Sequence, residues 1–232
     1  SALALMREYL RTIRQLVAGE SVDYEGEVVT LQGARLAIDP APNTPVYLGA
    51  VGPELLRLAG ETADGVCLHW CNPERIAWSR ERIAEGASKA NRDPSEVKMV
   101  QYIRVCVDDD VAAARQAYAK ATMGYALGAQ VPTDRERQLG YRAHFERMGH
   151  TEELAGLDQM RQRGASVDEV AAAFTDELLQ DVGYYGPAEG AAETFKRVSQ
   201  GLDTAVVRVV AARPGLDPIL AAMRACQPAL TK

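Results

Sequence analysis

Apolar and polar residues alternate in two rhythms along this chain, and the changes of rhythm mark its elements. Leu3, Met6, Leu10, Ile13 and Val17 recur at spacings of three and four, with Arg7, Glu8, Arg11 and Arg14 between them. That pattern predicts an amphipathic helix ended by Gly19. From Ser21 to Ile38 the pieces are short and alternating, broken by Gly26 and Gly33, which predicts a β-hairpin or a pair of short edge strands. Pro40, Pro42 and Pro45 stiffen an extended connector. An apolar strand (Val46 to Gly49) follows, then a small-residue turn, a helix begun by Pro53 and Glu54, and a second strand from Gly65. Asn72, Pro73 and Glu74 start another helix, with Ile76, Ile83 and Ala87 on its buried stripe and its end near Lys89. KMVQYIRVCV, Lys98 to Val107, is a third strand. Asp108 to Asp110 close it and cap an Ala-rich helix from Val111 to about Leu127.

Residues from Gly128 to Gly164 carry the weakest pattern in the chain. Ser166 and Glu169 then form an S-x-x-E capping box for a helix with Val170, Phe174 and Leu178 on one face. Residues 111–183 thus read as a helical insertion between a strand and its partner helix, which runs from Gly186, Pro187 and Glu189 to Gly201. TAVVRVVA, Thr204 to Ala211, is a fourth strand, and Pro214 to about Ala225 the last helix. Four apolar strands alternating with helices predict an α/β fold with a parallel sheet, residues 1–232 forming a single domain.

Composition narrows the function classes. The 232 residues are 47% hydrophobic and 25% charged with a net charge of -6, a globular balance without the basic footprint that nucleic acid or an anionic membrane would attract. Cys67, Cys71, Cys106 and Cys226 lack paired C-x-x-C spacing, and we expect reduced thiols in a cytoplasmic protein. The first 19 residues carry too many charges for a signal peptide, and no run is long enough to span a bilayer.

The turn Gly49, Ala50, Val51, Gly52 and Pro53 holds the candidate chemistry. Gly52 lets a ligand approach the backbone, and the free N–H groups of the following helical turn suit a phosphate or carboxylate. The same residues also serve as the plain start of a structural helix, and taken alone they leave both readings open. PVYLGAVGPELLRLAGETADGV, followed by NPERI, EGASKANRDPSEV and a strand ending VCVDDD, resembles the luciferase-like monooxygenase superfamily, in particular its branch using the deazaflavin coenzyme F420. MREYLRTIRQLVAGESVDYEGEVV and the last strand-helix pair resemble that family too; residues from about 125 to 165 do not.

The resemblance implies a (β/α)8 TIM barrel with FMN or F420 at the C-terminal face of its strands. The chain would hold the fourth barrel helix and strands five to eight, a partial barrel. It therefore reads as a truncated or proteolysed piece, or as one completed by a second copy in a homo-oligomer or by another polypeptide supplying the N-terminal half, and as inactive alone. The resemblance implies an oxidoreductase moving a hydride between a small organic substrate and coenzyme F420. Alternatives are an FMN-dependent monooxygenase using O2, and a non-catalytic half-barrel that binds a partner. It also implies that residues 49–53 hold the phosphate-bearing tail of the cofactor.

His69, at the end of the second strand, either hydrogen-bonds cofactor or substrate at the barrel mouth or packs against the backbone. Trp70 and Cys71 read as packing residues, and His144 and His150 as solvated. Arg208, inside an apolar strand, must be paired or face the lumen; it either binds an anionic substrate group or forms an ion pair, and the ion pair is expected. No metal site is expected. The family's acid-base groups lie largely on the first four strands, so the resemblance assigns no catalytic residue here.

Overall fold

A computed structural model describes residues 2–128 and 133–227. The chain divides into two compact units, residues 1–68 with 77–100, and residues 69–76 with 101–232.

The first unit opens with α1 (Ala2–Val17), as its three-four spacing requires. The hairpin follows as β1 (Val22–Glu25) and β2 (Thr30–Ala34), paired antiparallel. Glu8 of α1 is almost buried, and its carboxylate accepts the backbone N–H groups of Glu27, Val28 and Val29 at 2.8, 3.1 and 2.8 Å. Three amides on one acid fasten the hairpin turn to the helix. β3 (Tyr47–Gly49) leads into α2 (Pro53–Thr62), and β4 (Gly65–His69) pairs with β3 in parallel, Leu48 opposite Val66. α3 (Pro73–Lys89) crosses α2 at two glycines. A Cβ on Gly60 would lie 2.1 Å from the Ile83 carbonyl oxygen, and one on Gly86 1.9 Å from that of Arg57. β5 (Lys98–Val107) then starts beside β4, with Lys98 N–H donating to Asp64 O at 3.0 Å.

β5 continues into the second unit, where six helices follow it: α4 (Val111–Ala126), α5 (Asp134–Leu139), α6 (Tyr141–Phe145), α7 (Thr151–Gln162), α8 (Val167–Ala172) and α9 (Asp176–Asp181). One π-helical turn, Glu146–His150, joins α6 to α7. The weakly patterned stretch 128–164 is thus largely helical, except for residues 129–132, which lie outside the described residues. The capping box at Ser166 and Glu169 is formed, and Asp110 caps α4 through Ala113 N–H. The helix expected through Val170, Phe174 and Leu178 is in fact α8 and α9, because Thr175 caps a new start with its side chain on Leu178 N–H. All three residues are nonetheless buried.

β6 (Gly183–Gly186) pairs with β5 in parallel, Val105 opposite Tyr184, and leads into α10 (Ala188–Val198). β7 (Thr204–Val209) joins β5 as well, Val210 N–H donating to Val105 O at 2.9 Å, and α11 (Asp217–Ala225) ends the described chain. The sheet order is β3-β4-β5-β6 with β7 also on β5. Among the described residues it therefore has five strands, not the expected four. Gly183-Tyr-Tyr-Gly186 is too short and glycine-bounded to read as a strand, yet its missing side chain at Gly183 admits the Tyr118 hydroxyl and the Arg104 carbonyl. No described helix is long and apolar enough to cross a membrane.

Candidate functional site

The turn after β3 belongs to the first unit. Ala50 N–H donates to Cys67 O at 3.2 Å, which extends the β3–β4 ladder to the edge of the turn. Ala50 is buried, whereas Val51, Gly52 and Pro53 remain partly accessible and Gly49 is exposed. Gly52 is the N-cap of α2, with φ -99° and ψ 154°, and offers no side chain to cap it; Pro53 holds the first position. Gly52 thus sits in ordinary extended backbone, and turn geometry does not demand glycine there. Space does distinguish it: a Cβ at Gly49 or Gly52 would meet no atom within 4 Å. These two glycines leave an open cradle in front of an uncapped helix start, where the orphan N–H groups of a first turn favour an anion.

A second group of residues lies at the end of β4 in the other unit. His69 bonds through both ring nitrogens, Nδ1 to Tyr141 Oη at 2.8 Å and Nε2 to Arg104 Nη1 at 2.8 Å. Arginine only donates, so Nε2 is the acceptor and the proton resides on Nδ1. The imidazole is neutral. Burial first, then the Arg104 charge, pulls its pKa down to about 4. The expected alternative of a ring satisfied by the backbone is not what the structure gives, since both partners are side chains.

Arg104, on β5, is 8% exposed. Its guanidinium carbon stacks 3.9 Å from the Trp70 ring centre and 4.9 Å from that of Tyr125. Trp70 turns at φ 57°, a left-handed conformation that a bulky residue keeps only when its surroundings impose it. Tyr125 and Tyr141 meet His69 edge-on, with ring centres 5.1 and 5.2 Å away. Reading the strands as apolar runs overlooked Arg104, although a lone arginine in KMVQYIRVCV gives the same signal as the one in TAVVRVVA. Arg208 itself is exposed and has no ion pair among the described residues, contrary to the pair expected for it.

The two other histidines are not solvated. His144 is fully buried: its Nε2 lies 2.9 Å from the Trp70 carbonyl oxygen and 3.6 Å from Cys71 Sγ, while Nδ1 has no partner among the described residues. Burial lowers its pKa to about 4. His150 Nε2 is 3.2 Å from Asp181 Oδ2, and Asn72 donates to the same oxygen at 2.8 Å. Cys71 is buried, and burial pushes its thiol up to about 12, a packing residue as expected. Past the C-terminal ends of β5 and β7 lies a cavity of about 500 Å³ bordered by Asp108, Asp109, Arg213 and Asp217, where Arg213 Nε donates to Asp108 Oδ2 at 2.8 Å.

The family model for luciferase-like monooxygenases matches residues 1–205. The 5,10-methylenetetrahydromethanopterin reductase of Archaeoglobus fulgidus is 30% identical over 216 residues, 91% of this chain and 60% of that protein. The F420-dependent glucose-6-phosphate dehydrogenase of Rhodococcus erythropolis is 37% identical over 113 residues, 48% of this chain and 34% of that protein. Among solved structures, the coenzyme F420-dependent tetrahydromethanopterin reductase of Methanopyrus kandleri superposes with a TM-score of 0.74 at 24% identity, over 97% of this chain and 62% of that one. An F420-dependent secondary alcohol dehydrogenase superposes with a TM-score of 0.67 at 18% identity, over 97% of this chain and 62% of that one. These likenesses show the shared α/β fold, and the chain spans less than two thirds of each of these relatives. The chain belongs to the luciferase-like monooxygenase family.

Proposed function

We propose that the protein is a cytoplasmic oxidoreductase that moves a hydride between a small organic substrate and coenzyme F420, and that residues 49–53 hold the anionic tail of that coenzyme. The observation that carries the reading is the cradle at Gly49 and Gly52, where two absent side chains leave space before the uncapped start of α2. Relatives whose names specify F420 support the choice of coenzyme. When bound, the deazaflavin supplies the hydride chemistry, while the protein supplies binding, orientation and electrostatics. Backbone N–H groups at the start of α2 grip the tail, the helix dipole favours its negative charge, and Pro53 fixes the first turn without using a donor.

Fluorescence and absorbance titrations of the purified protein with F420 and FMN, run separately, test the coenzyme. Saturable binding of F420 at concentrations where FMN leaves the signal unchanged is expected. Tighter binding of FMN would overturn the assignment in favour of flavin chemistry.

A further inference from the structure

Arg104 is a buried cation with no anion beside it among the described residues. Its one hydrogen-bond partner among the described residues is the neutral ring of His69, and its other neighbours are the faces of Trp70 and Tyr125. Other arginines of the same unit pair with acids: Arg115 with Asp176, Arg142 with Glu146 and Asp158, Arg161 with Asp158, Arg213 with Asp108. Those sites lie nearer water, where a counter-charge matters least. The most buried of the five is the one left without a carboxylate.

Stacking on aromatic faces offsets part of the burial of a guanidinium, but a desolvated charge remains far from balanced until an anion joins it. The surroundings add to the deficit. Arg208 contributes a second positive charge, and burial together with that charge works to lower the pKa of Arg104. Nearby donors also lack acceptors among the described residues: Trp70 Nε1 beneath the guanidinium is buried and unpartnered, and so is the Tyr118 hydroxyl, which lies against Gly183 where β6 pairs with Arg104. The site is thus rich in N–H and O–H groups and holds no anionic acceptor among the described residues. Its frame is rigid, since His69 is fixed by Tyr141 on the far nitrogen and Trp70 is held in a strained backbone conformation.

We propose that Arg104 is the receptor for an oxyanion, the carboxylate or phosphate of a small-molecule ligand, with His69 and Trp70 as the residues that position its guanidinium. A planar guanidinium has donors left after the bond to His69, and these match two oxygens of one carboxylate or phosphate. The assignment does not depend on the turn at Gly52 taking a coenzyme tail. The oxyanion belongs either to the organic substrate or to the coenzyme, and the test separates the two.

Trp70 and Trp78 are the two tryptophans, so a Trp78→Phe protein reports the ring beneath Arg104 alone. In that protein, sodium phosphate and sodium acetate, titrated at constant ionic strength, are expected to change Trp70 emission saturably. The same anions should raise the titration of His69 above about 4, read from its ring proton resonances, because an anion offsets the field of Arg104. Arg104→Met should weaken the oxyanion by about tenfold or more, the loss of one charge-assisted pair. Arg104→Lys, which keeps the charge and loses the fork, should weaken it less, and Arg213→Met should leave it unchanged. F420 titrations with Arg104→Lys then assign the source: a weaker coenzyme places the oxyanion on F420, and an unaltered one places it on the substrate. No saturable response to either anion in the Trp78→Phe protein, or an equal response once Arg104 is replaced by Met or Lys, would overturn the proposal.

Discussion

Gly86→Ala should destabilise this protein, although the same change in an open helix would stabilise it. Gly86 lies inside α3, where alanine is favoured over glycine by about 1 kcal/mol. Against that gain stands the crossing with α2. The new methyl would lie 1.9 Å from the Arg57 carbonyl oxygen and 2.7 Å from its carbon, whereas ordinary contacts start at 3.4 Å. The backbones must therefore part by about 1.5 Å, and overpacking of this kind costs about 1–3 kcal/mol, with further loss of dispersion along the opened seam. The clash wins, and a net loss of about 1 kcal/mol is expected. Gly124, inside α4, is the control, since a Cβ there meets nothing within 4 Å and alanine should stabilise by up to about 1 kcal/mol. Urea unfolding of both variants and the parent protein measures the two signs side by side. Because Gly52 caps the start of α2, a displaced helix should also loosen the coenzyme tail. Gly86→Ala matching or exceeding the parent in stability would refute the close crossing.

His144 is buried neutral, with a pKa of about 4 in place of 6.5. Its contribution is therefore full above pH 6.5 and is lost as pH falls toward 4, where the unfolded chain binds the proton first. The linkage is worth about 3 kcal/mol, so unfolding free energy measured from pH 7 to 4 should fall more steeply in the parent protein than in His144→Gln, and equal slopes would contradict it. Glu8→Ala removes the acceptor shared by the amides of Glu27, Val28 and Val29, and those three should exchange with deuterium faster while the amides of β5 keep their protection. The hydrogen bonds from these amides hold the Glu8 carboxyl below its usual range despite the opposing effect of burial. The fastening of the hairpin should accordingly weaken as pH falls through that lowered value, and unchanged exchange at residues 27–29 would exclude it.

Where local chemistry decides structure, the sequence is transparent. Lys98 to Val107 reads as a strand and is β5 to the residue, because β-branched and aromatic residues (Val100, Tyr102, Ile103, Val105, Val107) recur along it between polar turns. The capping box at Ser166 and Glu169, the proline start of α2, and the parallel pairing of the apolar strands are legible for the same reason. What is hidden depends on distant partners. YIRVC and VVRVV present an arginine in equivalent apolar settings, yet Arg104 is buried against Trp70 and Arg208 is exposed. Strand position decides this, and no local pattern records it. His144 belongs to a stretch without periodicity, and only its bond to the Trp70 carbonyl explains its burial. β6 escapes detection because two glycines bracket two tyrosines, a turn-like composition made into a strand by its neighbour β5. In the turn at 49–53, composition suggests an anion site, but the open space at both missing Cβ atoms is visible only in three dimensions.

The affinity of the protein for F420, compared with that for its deazaflavin core lacking the phosphate-bearing tail, in parent and Gly52→Val proteins, addresses the turn most directly. A Cβ at position 52 meets no atom within 4 Å and the backbone there is extended, so the fold should survive a valine, as circular dichroism would verify. The tail should strengthen binding in the parent by at least about 1.5 kcal/mol, roughly tenfold, and this increment should vanish in Gly52→Val while the core binds equally to both. An equal tail increment in the two proteins would place the anion elsewhere and contradict the account.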